Sequence, residues 1–330
     1  LRCLVGSEMC IRDRNKAASS YLNIDRKKDI GKPYDKKIKN KAIKKIIKSI
    51  LKKQRPITKE IRIGRMKKMF FIVNGKVLKD QKSKPVGCLI VMTDVTRLKQ
   101  LEAMRRVFVA NVSHELKTPI TSIGGYIETA QKDISLKTKN EFLEKAIKQN
   151  NRLNSIIDDL LRLSRIEAIE DEDAFTLSTQ KLLPVIEGSV EDIRENIKKY
   201  GIKVIIECSK DIYAEIDSQL MREALINLLE NAIKYGVDNS NVILSVKRKS
   251  NKILIDIENK GELIPEKERD RIFNRFYRLD KSRSKKTGGT GLGLAIVKHI
   301  SIVHNGTIEV HKSDGDTTVF RLTLPVRKSG

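Results

Sequence analysis

The chain has 330 residues, too many for one ordinary core, so two or three domains are expected. Its 39% hydrophobic content excludes disorder as the state of most of the molecule, and no run reaches the roughly 18 apolar residues that a membrane-spanning helix needs. The formal charge of +25, from 67 Lys and Arg against 42 Asp and Glu, admits nucleic acid or an anionic membrane face as a partner. But aromatics are only 5%, and no zinc-finger or RNA-binding signature accompanies the lysines scattered through every segment, so a lysine-rich proteome is the favoured source and no direct nucleic-acid partner is expected.

The first fourteen residues, LRCLVGSEMCIRDR, resemble a translated sequencing adapter and are expected to be foreign to the native chain. Residues 15–96 read as helix-rich and then strand-rich. Lys59 to Ile63, Met69 to Val73, Lys76 to Lys79 and Val86 to Met92 favour strands, and Asn74-Gly75 is a turn signal between two of them. The segment opens with NKAASSYLNI and closes with GCLIVMTDVTRL, which resembles a PAS domain from its first helix to its exit. The two strands that normally precede that helix are replaced by the adapter-like peptide. An open sheet edge is therefore expected, and this remnant should be the least stable part. Cys3 and Cys10 fall in the opening peptide, Cys88 in an apolar run and Cys208 alone, a reduced pattern without zinc spacing.

From Thr96 the period becomes helical, with Leu98, Leu101, Met104 and Phe108 near one face and Asp94 or Thr96 as the cap. A second stretch, Glu141 to Ile166, sets Leu143, Ile147, Asn150, Ile157, Leu160, Leu161 and Ser164 close to a heptad seam. One hairpin over residues 97–173 cannot bury that stripe, so a homodimeric four-helix bundle is the expected solution. The acidic stretch Glu170 to Asp173 reads as a hinge.

Within the first helix stands VSHELKTPIT. A neutral imidazole at His114 is a competent nucleophile if a neighbour orients it and takes its proton, and Glu115 is the candidate. Thr118 shares the face of His114, and Pro119 removes a backbone donor and is expected to bend the helix. The longer string FVANVSHELKTPITSI resembles the phosphoacceptor box of sensor histidine kinases. That resemblance implies phosphorylation of His114 with Glu115 as acid/base partner. Where the family also dephosphorylates its partner, Glu115 and Thr118 match the Glu-x-x-Thr pattern that orients water.

Residues 174–328 alternate helical and strand-like runs, among them Val242 to Val246, Ile253 to Ile257, Thr307 to Val310 and Thr318 to Leu324, the composition of a sheet covered on one face by helices. In NLLENAIKYG, Asn227 and Asn231 stand one turn apart on one helical face, with Leu225, Leu228 and Ala232 opposite. Their amide oxygens are hard ligands suited to Mg²⁺. The string resembles the family's N box, which implies Asn231 and Asn227 on Mg²⁺, Lys234 on phosphate and Tyr235 beside the nucleotide. Glycines 289, 291 and 293 of TGGTGLGLAIVKHI allow close backbone approach to phosphates at a helix start. No strand precedes them and no Walker lysine-serine pair is present, which excludes dinucleotide and P-loop readings. With Leu292 and Leu294 the string resembles the family's second glycine box.

Between these motifs the family pattern Asp-x-Gly-x-Gly is replaced by Asn259, Gly261 and Leu263. The asparagine oxygen can still accept the adenine amino hydrogen bond, more weakly by roughly 1 kcal/mol. Phe273, Phe276 and Tyr277 match the F box, and Arg278 fits the lid arginine that reaches the γ-phosphate.

Taken together the resemblance implies a multidomain chain: a PAS remnant, a helical hairpin that forms a dimeric four-helix bundle, and a Bergerat-type α/β sandwich that binds ATP. It implies Mg-ATP-dependent autophosphorylation, transfer to an aspartate of a response regulator, a place on the cytoplasmic side, and a membrane anchor upstream of the chain, in a layout similar to phosphate-starvation sensors. An ATPase or chaperone of the same fold predicts a glutamate at position 227 and no acceptor box. A basic nucleic-acid module predicts a steep salt slope without ATP labelling. Whether one protomer phosphorylates itself or its partner depends on the loop at 130–140, and both arrangements stay open.

Overall fold

The computed structural model describes residues 2–6, 10–22, 24, 25, 28–64, 68–172, 177–279 and 289–326, with 2–6 and 169–172 as backbone alone. The chain divides into two units, Leu1–Val107 and Phe108–Gly330.

The first unit is a five-stranded antiparallel sheet in the order β2-β1-β5-β4-β3, formed by β1 (Arg2–Gly6), β2 (Ile11–Arg14), β3 (Ile57–Ile63), β4 (Met69–Lys79) and β5 (Pro85–Asp94). The helices α1 (Lys16–Leu22), α2 (Tyr34–Lys37) and α3 (Lys41–Lys53) lie between β2 and β3 in sequence. The edge expected to lie open at β5 is covered, and the sheet ends instead at β2 and β3. The opening peptide pairs with β5 from Arg2↔Val91 to Gly6↔Gly87, because an unpaired edge offers a full row of backbone donors and acceptors to any extended segment. Asn74-Gly75 also departs from expectation, since β4 runs straight through it. A Cβ at position 75 would collide with Ile50, so Gly75 lets α3 settle onto the sheet and makes no turn.

Helix α3 starts where the Asn40 side chain accepts hydrogen bonds from the amides of Ala42 and Ile43. Its inner face, Ile43, Ile46, Ile47 and Ile50, is buried against a sheet face that includes Phe71, Val73, Ile90 and Met92. Burial of each isoleucine contributes about 1.5–3 kcal/mol.

At the end of β2, Arg14 is 4% exposed, and none of its three guanidinium nitrogens has a hydrogen-bond partner. An unpaired buried charge costs several kcal/mol. Arg14→Met is therefore expected to stabilise the first unit by about 1–3 kcal/mol, seen as a later urea midpoint for the transition of that unit. An unchanged or earlier midpoint would mean that the guanidinium is solvated or paired in solution.

In the second unit, α4 (Thr96–Ala130), whose first turns lie in the first unit, and α5 (Leu136–Glu172) form a hairpin closed by residues 131–135. The Asp94 side chain accepts from the Thr96 amide at 2.9 Å, and α4 continues unbroken past Pro119. The acidic residues at 170–172 extend α5 and do not form a hinge; Asp173 lies outside the described residues. No helix is long and apolar enough to cross a membrane among the described residues.

The remainder holds a five-stranded sheet in the order β11-β12-β10-β9-β7: β7 (Lys203–Glu207), β9 (Asn241–Lys249), β10 (Lys252–Lys260), β11 (Thr307–Asp314) and β12 (Thr317–Pro325). Only the β7–β9 pair is parallel among the described strands. A two-stranded ribbon, β6 (Ser178–Lys181) with β8 (Tyr213–Ile216), stands apart. Strict alternation in β10 buries Ile253, Ile255 and Ile257 beneath α6 (Leu182–Asp192), α8 (Ser218–Lys234) and α9 (Gly293–Val303), with the short α7 (Arg194–Lys199) beside α6 and α8. This is the expected α/β sandwich.

Leu163 and Ile166 of α5 are buried in the same core as α8 and α9, so the boundary expected after residue 173 does not separate two independent cores. The other apolar stripe of α5, with Leu143, Ile147, Ile157 and Leu161, is exposed. Leu160, placed in that seam from sequence, packs instead against the core.

Candidate functional site

The two asparagines occupy one side of α8, whose opposite face, including Leu225, Leu228 and Ala232, is fully buried. Asp217 caps this helix by accepting from the amides of Gln219 and Leu220. The Asp217 amide in turn donates to His304 Nε2 at 3.1 Å. His304 is buried, and burial pushes its pKa down, so this imidazole is a neutral structural brace. His114 is solvent-exposed.

A cleft of about 1680 Å³ is lined by Asn227, Asn231, Lys234, Tyr235, Asn259, Gly261, Arg278, Gly289, Gly291 and Gly293. Ten of the residues singled out from sequence thus surround one space. Phe276 and Leu292 do not line the cleft, and Thr287 and Gly288 fall outside the described residues. Asn227 donates its amide hydrogen to the Glu223 carbonyl at 3.0 Å, and its oxygen lies beside Gly293 at the start of α9. Gly291 has φ +76°, a conformation that favours glycine, and its carbonyl accepts from the Phe276 amide at 2.8 Å. Phe276 is itself left-handed, at φ 61°, and its ring lies 5.9 Å from that of Phe108 on α4. Backbone in this region persists only where its surroundings over-determine it, and here both a hydrogen bond and a ring contact do so.

The cleft is lined by both cations and acids. Burial, reinforced by the Arg278 charge, lowers the pKa of Lys234 to about 8. Burial likewise lowers that of Arg278. The pKa values of Asp159 on α5 and of Glu223 and Glu230, which share α8 with Lys234, are all raised, first of all by burial. Two hard amide oxygens on one helical face and two cations on the same cleft fit a triphosphate carrying Mg²⁺.

His114 and Thr118 do not line this cleft. They share a shallow hollow of about 320 Å³ with Lys117, Thr121 and Ser122. The Thr118 hydroxyl donates to the His114 carbonyl at 3.0 Å, so it does not engage the imidazole. The link between hollow and cleft is Arg278. Its guanidinium donates to the Gly289 carbonyl and lies 3.5 Å from Glu115 Oε2.

Three contributors escaped sequence reasoning. Arg152 of α5 meets the same Glu115 oxygen at 3.3 Å. Asp159 accepts from the Thr290 hydroxyl at 2.6 Å. Glu167 pairs with Arg275 and lies 3.3 Å from His299 Nε2. Arg152, Ile156, Asp159, Leu163 and Ile166 follow a 4-3-4-3 spacing, a second seam on α5 that is present in the sequence beside the first.

Comparison with known proteins places two family models on the chain: the His Kinase A (phospho-acceptor) domain on residues 104–169, and the histidine kinase-, DNA gyrase B- and HSP90-like ATPase on residues 216–328. The sensor protein kinase WalK of Staphylococcus aureus is 37% identical over 267 residues, covering 77% of this chain and 61% of that relative. Its counterpart in strain JH9 is equally identical but covered to 42%, so the chain spans about half the length of these curated relatives. Among solved structures, the histidine kinase ThkA in complex with response regulator protein TrrA aligns with 99% of this chain and 95% of that one at TM-score 0.56 and 22% identity. The Acinetobacter baumannii histidine kinase AdeS aligns with 65% of this chain and 98% of its own at TM-score 0.50 and 23% identity. At these identities the two structures speak for the fold.

Proposed function

Because the chain belongs to the sensor histidine kinases of two-component systems, we propose that it transfers the γ-phosphoryl group of Mg-ATP to His114 and then to an aspartate of a response regulator. The observation that carries this reading is the position of Arg278, which forms part of the nucleotide cleft and touches the carboxylate next to His114. A phosphoryl group leaving the cleft needs cationic cover until it reaches the imidazole.

In the proposed step a new P–N bond forms at the imidazole as the bond to the β-phosphate oxygen breaks, ADP departs, and the ring proton passes to Glu115. Arg152 holds Glu115 in place when Arg278 turns to the phosphates. Asn231 and Asn227 hold Mg²⁺, which supplies charge neutralisation to the phosphates. Lys234 binds phosphate, Tyr235 flanks the nucleotide and Asn259 accepts from the adenine amino group at the floor of the cleft beside Gly261. Glu115 and Thr118 serve a response-regulator phosphatase activity, for which Thr118 exchanges its backbone acceptor for water.

The exposed stripes Leu143, Ile147, Ile157 and Leu161 on α5 and Val109, Ile120 and Ile127 on α4 support a homodimeric four-helix bundle, since solvated apolar seams of that length seek a partner. A response-regulator partner is supported by the likeness to ThkA, whose structure was solved in complex with the response regulator protein TrrA. Residues 15–96 act as a PAS-type sensory domain, supported by the sheet with α3 against one face.

The test is incubation with γ-labelled ATP and Mg²⁺ across a pH series. Label on protein that is stable in alkali and lost in acid is expected for a phosphoramidate; acid-stable label would assign the phosphoryl group to a hydroxyl. Lys234 gives the series a sign. Its cationic form binds phosphate, so ATP affinity should be level below its pKa of about 8 and fall above it, by about tenfold per pH unit at most. In Lys234→Gln that fall should disappear, at a uniformly weaker affinity.

A further inference from the structure

The net charge of the chain is not shared between its two units. Residues 1–107 hold 31 lysines and arginines against 9 acids, whereas residues 108–330 hold 36 against 33. A lysine-rich proteome would enrich both units alike. The excess lies in the first, and it is densest between residues 36 and 59, where eleven basic residues stand with no acid.

Helix α3 arranges this charge. Opposite its buried isoleucines, Lys41, Lys45, Lys48 and Lys52 are all exposed at spacings of four, three and four, a line of ammonium groups over about 16 Å. Among the described residues none of the four is in an ion pair. Apart from Lys52, whose place in the last turn suits the helix dipole, the fold gains nothing from them. Like charges three and four residues apart repel, and lysine in the first turn opposes the positive end of the helix dipole. The line also lacks the chemistry of base recognition. Residues 41–53 contain no arginine, asparagine, glutamine or aromatic residue, the types that read base edges or stack on bases. A plane of anionic headgroups needs only point charges held at one level.

We propose that the lysine face of α3 binds an anionic lipid bilayer surface. The occupant is chosen on charge complementarity: a straight, uncompensated row of lysines on a helix whose apolar face is already used by its own sheet adsorbs electrostatically, without insertion.

The test is cosedimentation of the full chain with vesicles of phosphatidylcholine alone or with about a third phosphatidylglycerol, beside the variant Lys41→Gln, Lys45→Gln, Lys48→Gln, Lys52→Gln. Glutamine keeps helix propensity, and an unchanged circular dichroism spectrum shows that α3 is intact. Wild type should bind the anionic vesicles, release them in high salt and ignore neutral ones. The variant should lose about fivefold in partition for each lysine, roughly 600-fold in all. Equal binding to neutral vesicles, or undiminished binding by the variant, overturns the proposal. Tighter retention on duplex DNA than on anionic vesicles at the same salt, lost in the variant, also overturns it and assigns the face to nucleic acid.

Discussion

His114→Gln is expected to remove all acid-labile label from the chain while leaving ATP binding within about twofold of wild type, a change of under 0.5 kcal/mol. The first half follows from the chemistry: glutamine can occupy the same exposed helical position but has no ring nitrogen to form the P–N bond. The second follows from the geometry, because His114 lies in the hollow with Lys117 and Thr121 and not in the cleft of Asn231 and Lys234. Labelling and equilibrium nucleotide binding, measured on one preparation, separate the two halves. Persistent label in the variant would place the acceptor elsewhere. Lost binding would mean that the hollow and the cleft communicate through Arg278 more strongly than a 3.5 Å contact to Glu115 implies.

Much of the second unit is legible directly. Strand β10 alternates along its length, as do most of β9 and the second half of β12, so that period two in the sequence is enough to place them. The glycine and asparagine motifs, which line one cleft, are legible for a different reason: close backbone approach and the hard ligation proposed for the asparagines restrict residue type within a few positions along the chain. What the sequence hides is long-range. Asn74-Gly75 carries a local turn signal, yet the deciding contact is Ile50 pressing on position 75 from a helix more than twenty residues earlier. The opening peptide has no sequence property that names β5 as its partner; an open edge selected it.

The hairpin shows the same limit within a single helix. The heptad pattern on α5 points, by period alone, to self-pairing. In the structure one stripe is exposed, and the other, through Ile156, Leu163 and Ile166, is buried. Two seams on one helix read as a single broad apolar band when viewed by period alone. Such a view leaves Arg152, Asp159 and Glu167 on a solvated face, although they meet Glu115, Thr290 and Arg275.

Asn231→Ala is expected to slow autophosphorylation by about 10²- to 10³-fold, equivalent to roughly 3–4 kcal/mol, and to raise the Mg²⁺ concentration needed for half-maximal rate. The cleft is also lined by the carboxyl groups of Asp159, Glu223 and Glu230, and each of them that is ionised repels a triphosphate. Removing the amide oxygen proposed to hold Mg²⁺ leaves Lys234 and Arg278 to offset the phosphates, and Lys234 is itself only partly charged near pH 8. Asn227→Ala should behave alike but more mildly, because that side chain also spends its amide on the Glu223 carbonyl. The discriminating measurement is a Mg²⁺ titration at saturating ATP. A lowered rate with an unshifted Mg²⁺ midpoint would show that Asn231 shapes the helix and not the metal, and would move the hard ligand to another residue of the cleft.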